Sequence, residues 1–248
     1  MGDGLDLRIA HISDPHFESP FFSEELARKA LRKLNNLELD LIVCTGDLTV
    51  EGLIDEFKRA KEFFSNLSTH SKLIIPGNHD ARNVGFEVFT EFFGERWKTL
   101  EKGGIRLFGA DSSQPDLDDG HIGRENYRRI HNYLKDAEFS VFALHHHLVP
   151  LPKTGRERSV TVDSGDVLKL LVDADVDLVL SGHRHIHWLW DLEGITILHA
   201  GALATRRVKG REKPSFNVID IGKKIVVHKV VVEESETEKI FEKKIKRK

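Results

Sequence analysis

The sequence predicts a layered α/β protein with largely buried sheets. Short apolar runs alternate with amphipathic segments along all 248 residues, which is the pattern of strands and helices stacked in layers. Many of the runs are too continuously apolar for a sheet with one wet face. No internal repeat or low-complexity linker interrupts them, and a chain of this length buries a full core without staples.

The elements follow in order. LRIAHIS (7–13) reads as the first strand. SEELARKALRKLNN reads as a helix, with Ser23 as N-cap, Glu24 and Glu25 in the first turn, and Leu26, Ala30 and Leu34 at helical spacing. DLIVCT (40–45) is a strand. GLIDEFKRAKEFFSNL is a second helix carrying Ile54, Phe57, Lys58, Lys61 and Phe64. KLIIP (72–76) and IRLFGAD (105–111) are strands, RENYRRIHNYLKDA a helix, FSVFALH (139–145) a strand, and SGDVLKLLVDA a helix. VDLVLS (176–181), ITILHA (195–200), SFNVIDI (215–221) and KIVVHKVVV (224–232) complete the strands. The Phe pairs at 21–22, 63–64 and 92–93 suit helix packing, and the first pair also suits the mouth of a pocket. Residues 1–232 are expected to form one domain, with 233–248 a charged tail or final strand.

Bulk properties exclude several classes. Lys plus Arg is 37 and Asp plus Glu is 40, a net charge of −3 without a basic block. That disfavours a general nucleic-acid or membrane-surface binder, because phosphates are held largely by clustered Lys and Arg. Cys44 is the single cysteine, so no intrachain disulfide forms. The N-terminus lacks the basic start and apolar core of a signal peptide, and no apolar run reaches the roughly 18 residues of a membrane span. A cytoplasmic protein is expected. Charged residues make up 31%, rich in Lys and Glu, a bias found in proteins from hot environments.

Five polar punctuations fall at strand ends: DPH (14–16), GD (46–47), GNHD (77–80), HHH (145–147) and GHRH (182–185). In an open α/β sheet, ligands gather beyond the carboxyl ends of strands, so residues distant in sequence meet there. Each motif alone is an ordinary turn maker. Together they supply Asp14, His16, Asp47, Asn78, His145, His183 and His185, a thiolate-free oxygen and nitrogen set suited to Mn, Fe, Co or Zn and larger than one ion needs. Two metals sharing a carboxylate, with Asp47 as the bridge, is the economical reading. Residues i and i+2 of an extended stretch point the same way, so Asp14 with His16, and His183 with His185, are each expected to reach one locale.

These motifs resemble those of the calcineurin-like metallophosphoesterases. SDPHF stands for the family's D-x-H, TGDLTVEG for G-D, PGNHD for G-N-H-[DE], LHH for the single-His motif and SGHRH for G-H-x-H, in family order from residue 8 to about 221. The resemblance implies a four-layer α/β/β/α sandwich of two mixed sheets. It implies that Asp14, His16 and His185 hold one metal, Asn78, His145 and His183 the other, and that Asp47 bridges. His79 would be the general acid or the group stabilising the transition state, with Asn78, Arg82 and His146 contacting substrate and His147 a spacer or support. The implied reaction is hydrolysis of a phosphate ester by a metal-bridging hydroxide, at a centre of net charge about +1 that attracts the anion.

The segment GDLTVEG and the Asp of GNHD depart from the protein-phosphatase pattern, which carries a second acid and an arginine after G-D and ends in GNHE. PGNHDAR, LHHHLVP and SGHRH instead look like the class III cyclic-nucleotide and glycerophosphodiester phosphodiesterase branch. Here three histidines stand where that branch has His-Pro-Pro. A nuclease or phosphomonoesterase of the same family, and a non-catalytic binding scaffold on the same fold, are the alternatives. The expected partner is a small phosphate ester, with nucleic acid only as a substrate and no membrane. The loops 17–23, 81–86, 112–123 and 150–163, which would select substrate, carry no motif.

Overall fold

The structure is a computed structural model that describes residues 6–155, 158–210 and 212–245. The ends of the expected domain and tail, 1–5 and 246–248, and part of the 150–163 loop lie outside the described residues. Strands β1 (Leu7–Ile12), β2 (Leu41–Cys44) and β3 (Lys72–Ile74) alternate with helices α1 (Glu24–Asn35) and α2 (Ile54–Ser65). Then come α3 (Gly85–Phe93), β4 (Lys98–Lys102), β5 (Ile105–Gly109), α4 (Arg124–Leu134), β6 (Phe139–Ala143), α5 (Ser164–Asp173) and β7 (Leu178–Ser181). The chain ends with β8 (Trp188–Leu192), β9 (Ile195–His199), β10 (Ser215–Ile221), β11 (Lys224–Val231) and β12 (Thr237–Lys244).

The strands form two six-stranded mixed sheets. In the first, the order is β12-β11-β10-β1-β2-β3, with β1, β2 and β3 parallel and the rest antiparallel. In the second it is β4-β5-β6-β7-β9-β8, parallel except for its two edge strands. Strand periodicity explains how one apolar run serves two layers. Leu41 and Val43 of β2 face the second sheet, while Ile42 and Cys44 face α1 and α2. Likewise Val141 of β6 lies between the sheets and Phe142 beneath α4 and α5. Three apolar clusters therefore separate four layers, α/β/β/α.

Local chemistry accounts for the helices. Ser23 caps α1, its Oγ accepting from the Leu26 N–H at 3.4 Å, and Leu26, Ala30 and Leu34 are buried. In α2, the Glu56 carboxylate accepts from the Leu53 N–H at 3.0 Å. Helix α3 and strands β4 and β8 have no counterpart among the sequence expectations: GFEVFTEFF is a nine-residue helix with Glu87, Thr90 and Glu91 on one exposed face, and KTLEK and WLWDL are short edge strands. Phe64, Phe92 and Phe93 pack α2 against α3, with ring centroids 6.1 Å apart for Phe57 and Phe92 and 5.8 Å for Phe64 and Phe93, while Phe63 packs on Phe17 at 5.3 Å. The first pair divides, Phe22 packing on Phe17 at 5.4 Å while Phe21 is exposed. Burial pushes the Cys44 thiol well above the usual range, as an inert core residue requires.

Phe57 is fully buried at the centre of the α2–α3 aromatic cluster. Phe57→Ala is expected to lower stability by about 3–5 kcal/mol in urea unfolding without altering the opposite helical layer.

Candidate metal centre

The five motif loops follow β1, β2, β3, β6 and β7, three from the first sheet and two from the second, and all five parallel strands end at one edge. Backbone hydrogen bonds tie the loops together: Asp14 N–H to Gly46 O at 3.0 Å, His16 N–H to Asp47 O at 3.1 Å, and Gly182 N–H to His145 O at 3.0 Å. Asp14, His16, Asp47, His183 and His185 all have φ between 47° and 71°. This left-handed region costs a non-glycine residue about 1–3 kcal/mol. Asp14 and His16 reach one locale as expected, though on left-handed and not extended backbone, whereas the same expectation for His183 and His185 is corrected. The GHRH loop curls, so His183 joins Asn78 and His145 while His185 joins Asp14 and His16. Two glycines admit this crowding. A Cβ on Gly77 would stand 2.2 Å from Asp47 Oδ1, and one on Gly182 1.8 Å from Ser13 Oγ.

Two clusters result. Asp14, His16, Asp47 and His185 bring four ligand atoms within 4.8 Å of one another, and Asp47, His145 and His183 bring three. His16 Nε2 lies 2.9 Å from His185 Nε2, and Asp14 Oδ1 lies 3.3 Å from the latter. Asn78 Oδ1 lies 3.1 Å from both His145 Nε2 and His183 Nδ1. Asp47 Oδ2 stands between the clusters, 3.6 Å from His16 Nε2 and 3.3 Å from His145 Nε2.

Hydrogen bonds to backbone carbonyls set the tautomers. A carbonyl only accepts, so His16 Nδ1 donates to Thr49 O at 3.0 Å, His145 Nδ1 to Thr45 O at 2.6 Å, and His185 Nδ1 to Arg207 O. When these rings are neutral, each Nε2 is a bare lone pair aimed into the cluster. Asp14 Oδ2 accepts from the His183 N–H at 3.0 Å, while Asp14 Oδ1 is buried with no hydrogen-bond donor. Facing lone pairs and an orphaned carboxylate oxygen repel one another, and cations remove that repulsion. The buried Asp and His cluster suits two metal ions.

Burial raises the Asp47 carboxyl, but His145, His79 and His16 outweigh it and hold it well below the usual range. Asp14, pushed up by burial and down by His185, also ends low. Burial lowers His16 to about 3 and His183 well below the ordinary imidazole value. His145 is the exception: burial lowers it, yet Asp47 carries it up to about 9.

Other expected site residues have different surroundings. The His79 N–H donates to Asp47 Oδ1 at 3.0 Å, its Nδ1 to Val50 O at 2.7 Å, and its ring stands edge-on to His16. Arg82 is bound to Glu51 at 3.2 Å and Asp118 at 3.0 Å, so its charge is already matched. His146, expected to meet substrate, is fully buried with Nδ1 on Ser112 Oγ and Nε2 on Asp118 O. His147 is buried too and stacks on His183. Arg206 and Arg207 have exposed side chains, and only the Arg207 carbonyl serves the site. His11, His187 and His199 lie in the two metal clusters in no case, and hydrogen-bond instead with Thr45, Asn217 and Ser181.

Sequence reasoning missed Asp80 and Asp118. Asp80 is buried and accepts from the N–H groups of Leu48, Thr49 and Gly77 at 2.8–3.1 Å, stapling the GD loop to the GNHD loop. It lay within a quoted motif, whereas Asp118 stands in PDLDDG, where nothing distinguishes one Asp from the next.

Residues 7–187 match the family model described as calcineurin-like phosphoesterase. The chain belongs to that family. A probable cyclic nucleotide phosphodiesterase of Vesicomyosocius okutanii is 23% identical over 195 residues, 73% of this chain and 79% of that one. A probable glycerophosphodiester phosphodiesterase of Arcobacter nitrofigilis is 32% identical over 60% of this chain and 59% of its own. Among solved structures, the purple acid phosphatase PPD1 of yellow lupin superposes with a TM-score of 0.76 at 16% identity, covering 96% of this chain and 53% of the lupin chain. Vps29 of Entamoeba histolytica complexed with zinc superposes at 0.55 and 13% identity, covering 94% and 97%. These likenesses agree on the calcineurin-like fold. No helix among the described residues is long and apolar enough to cross a membrane.

With His145 near 9, the metal-free centre holds a proton at neutral pH that a metal ligand must lose. Metal affinity from competition titration is therefore expected to rise about tenfold per pH unit between roughly pH 7 and 9. The same proton stabilises the metal-free protein. That contribution is fully present below the ordinary histidine value of 6.5 and is lost as pH rises through about 9.

Proposed function

We propose that the chain is a two-metal phosphodiesterase. Asp14, His16 and His185 would hold one ion, Asn78, His145 and His183 the other, and Asp47 both. The observation that carries this reading is Asp47 Oδ2, lying between His16 Nε2 and His145 Nε2. Two divalent ions of the Mn, Fe, Co or Zn type, when bound, would supply a water nucleophile at neutral pH and neutralise charge on the phosphate oxygens.

The chain's own residues orient and protonate. Asp47 is anchored at Oδ1 by the His79 N–H, which keeps Oδ2 turned toward the histidines. His79 has Nδ1 committed to Val50 O, so Nε2 is the nitrogen left to deliver a proton to the leaving oxygen. Gly77 brings the backbone of the Asn78–His79 turn against Asp47 and places acid and ligands side by side.

A diester fits the mouth better than a monoester. Arg82, the cation beside Asn78 and His79, is matched by Glu51 and Asp118, so the second negative charge of a monoester dianion would meet carboxylates. The names of the bacterial relatives agree with a diester. The complete ligand set, with its tautomers already arranged, favours an enzyme over a scaffold. We place it in the cytoplasm on the strength of the lone buried cysteine.

Manganese-dependent hydrolysis of bis(p-nitrophenyl) phosphate is expected, with Asp47→Asn and His145→Ala each losing on the order of 10³-fold or more. No turnover with Mn, Fe, Co or Zn would overturn the reading. His79→Ala is expected to keep two metals, since its backbone holds Asp47, while kcat falls about 10²- to 10⁴-fold; unchanged kcat would remove it as the acid.

A further inference from the structure

An asparagine ligates a metal through its amide oxygen, and an amide turned by half a rotation presents an NH₂ group to the ion instead. Something must choose between the two faces of Asn78. Its Oδ1 lies 3.1 Å from His145 Nε2 and from His183 Nδ1, and its Nδ2 lies 3.2 Å from Asp118 Oδ1. A carboxylate only accepts, so the NH₂ belongs on the Asp118 side and the oxygen on the histidine side.

We propose that Asp118 is a positioning residue that holds the Asn78 amide in its ligating orientation, and so supports the Asn78–His145–His183 cluster and not the Asp14–His16–His185 cluster. The proposal rests on the two-metal reading above. Arg82 Nη2 donates to the same Asp118 oxygen at 3.0 Å, and Arg82 Nη1 donates to Glu51 and Val50 O, so the carboxylate is fixed from behind. A second link runs through the backbone. Asp118 O accepts from His146 Nε2 at 3.1 Å, and the His146 ring packs on His183 with centroids 4.7 Å apart. One residue thus reaches two of the three side chains particular to this cluster. Among the described residues, no hydrogen bond links Asp118 to Asp14, His16 or His185.

The loop keeps its place without the Asp118 side chain. Gly120 N–H bonds to Val160 O and His121 N–H to Ser112 O, each at 2.9 Å, and Gly120 lies against the His146 ring, where a Cβ would come within 2.4 Å. The Asp118 side chain is 63% exposed, so truncating it opens no cavity. Its role is therefore separable from folding.

The test is titration of the chelator-stripped full chain with Co²⁺, followed by calorimetry and by cobalt absorption, in the native protein, Asp118→Ala and Asp118→Asn. The native chain is expected to take two ions. Asp118→Ala should bind the first ion within about twofold of native and the second about 10- to 100-fold more weakly. Asp118→Asn keeps an oxygen acceptor for Asn78 and should recover the second ion to within about fivefold. Melting temperatures of the three metal-free proteins should agree. Native-like binding of both ions by Asp118→Ala overturns the proposal, as does equal weakening of both ions or an Asn variant no better than the Ala variant. A native protein that binds fewer than two ions overturns the two-metal reading itself, which is a distinct result.

Discussion

Asp14 and Asp47 are two carboxylates taken out of water into one cluster, and most of the surrounding architecture answers the electrostatic demand they make. Removing such a group from water costs several kcal/mol unless charge or hydrogen bonds compensate. Each has one oxygen satisfied by a backbone N–H, from His183 and His79 respectively. The other oxygen of each is turned toward imidazole nitrogens. In the metal-free chain a proton on His145 supplies part of the missing positive charge, and its raised pKa records that substitution. The left-handed backbone at five ligand positions and the close approach of Gly77 and Gly182 follow, because only tightly curled loops bring so many donors within a few ångströms.

The centre belongs to neither sheet alone. His145, at the end of β6, donates to Thr45 O at the end of β2, and the His183 N–H after β7 meets Asp14 after β1. Ring orientation is thereby coupled to sheet packing: if the two sheets slid relative to each other, His145 would lose the carbonyl that holds Nδ1 and turns Nε2 toward the cluster. The apolar layer between the sheets, with Val43, Leu107, Val141 and Leu180 fully buried, supplies the rigidity. Asp80 performs the same service within one sheet, and its buried carboxyl, raised to about 6 by desolvation and by Asp47, accepts from both loops it joins.

Arg82 and the 112–123 loop show how charge at the mouth is arranged. The guanidinium looks from the sequence like a phosphate ligand, yet it serves as a tie between Glu51 and Asp118. His146 is likewise drawn inward, its two nitrogens holding Ser112 and the Asp118 carbonyl. Both residues brace the loops around the mouth.

The alternation of apolar runs and amphipathic helices, and the ligand types at five strand ends, were legible in the sequence because periodicity and polar punctuation are local properties. So was the capping of α1 by Ser23. Helix α3 was not, although Glu87, Thr90 and Glu91 line one exposed face: it is only nine residues long, and its apolar face lies against the Phe57 and Phe64 rings, a contact made only on folding. Spacing alone grouped His183 with His185; their parting was implied only by the family resemblance, because it depends on φ values that no side-chain pattern encodes. The sequence by itself determined which groups are present to bind cations and in what order the strands deliver them. Only the tertiary structure decided which nitrogen of each histidine is bare, which face of Asn78 points inward and which charges are already matched. Those properties depend on carbonyls and carboxylates that lie 22 to 100 residues away along the chain and meet their partners only when the two sheets pack.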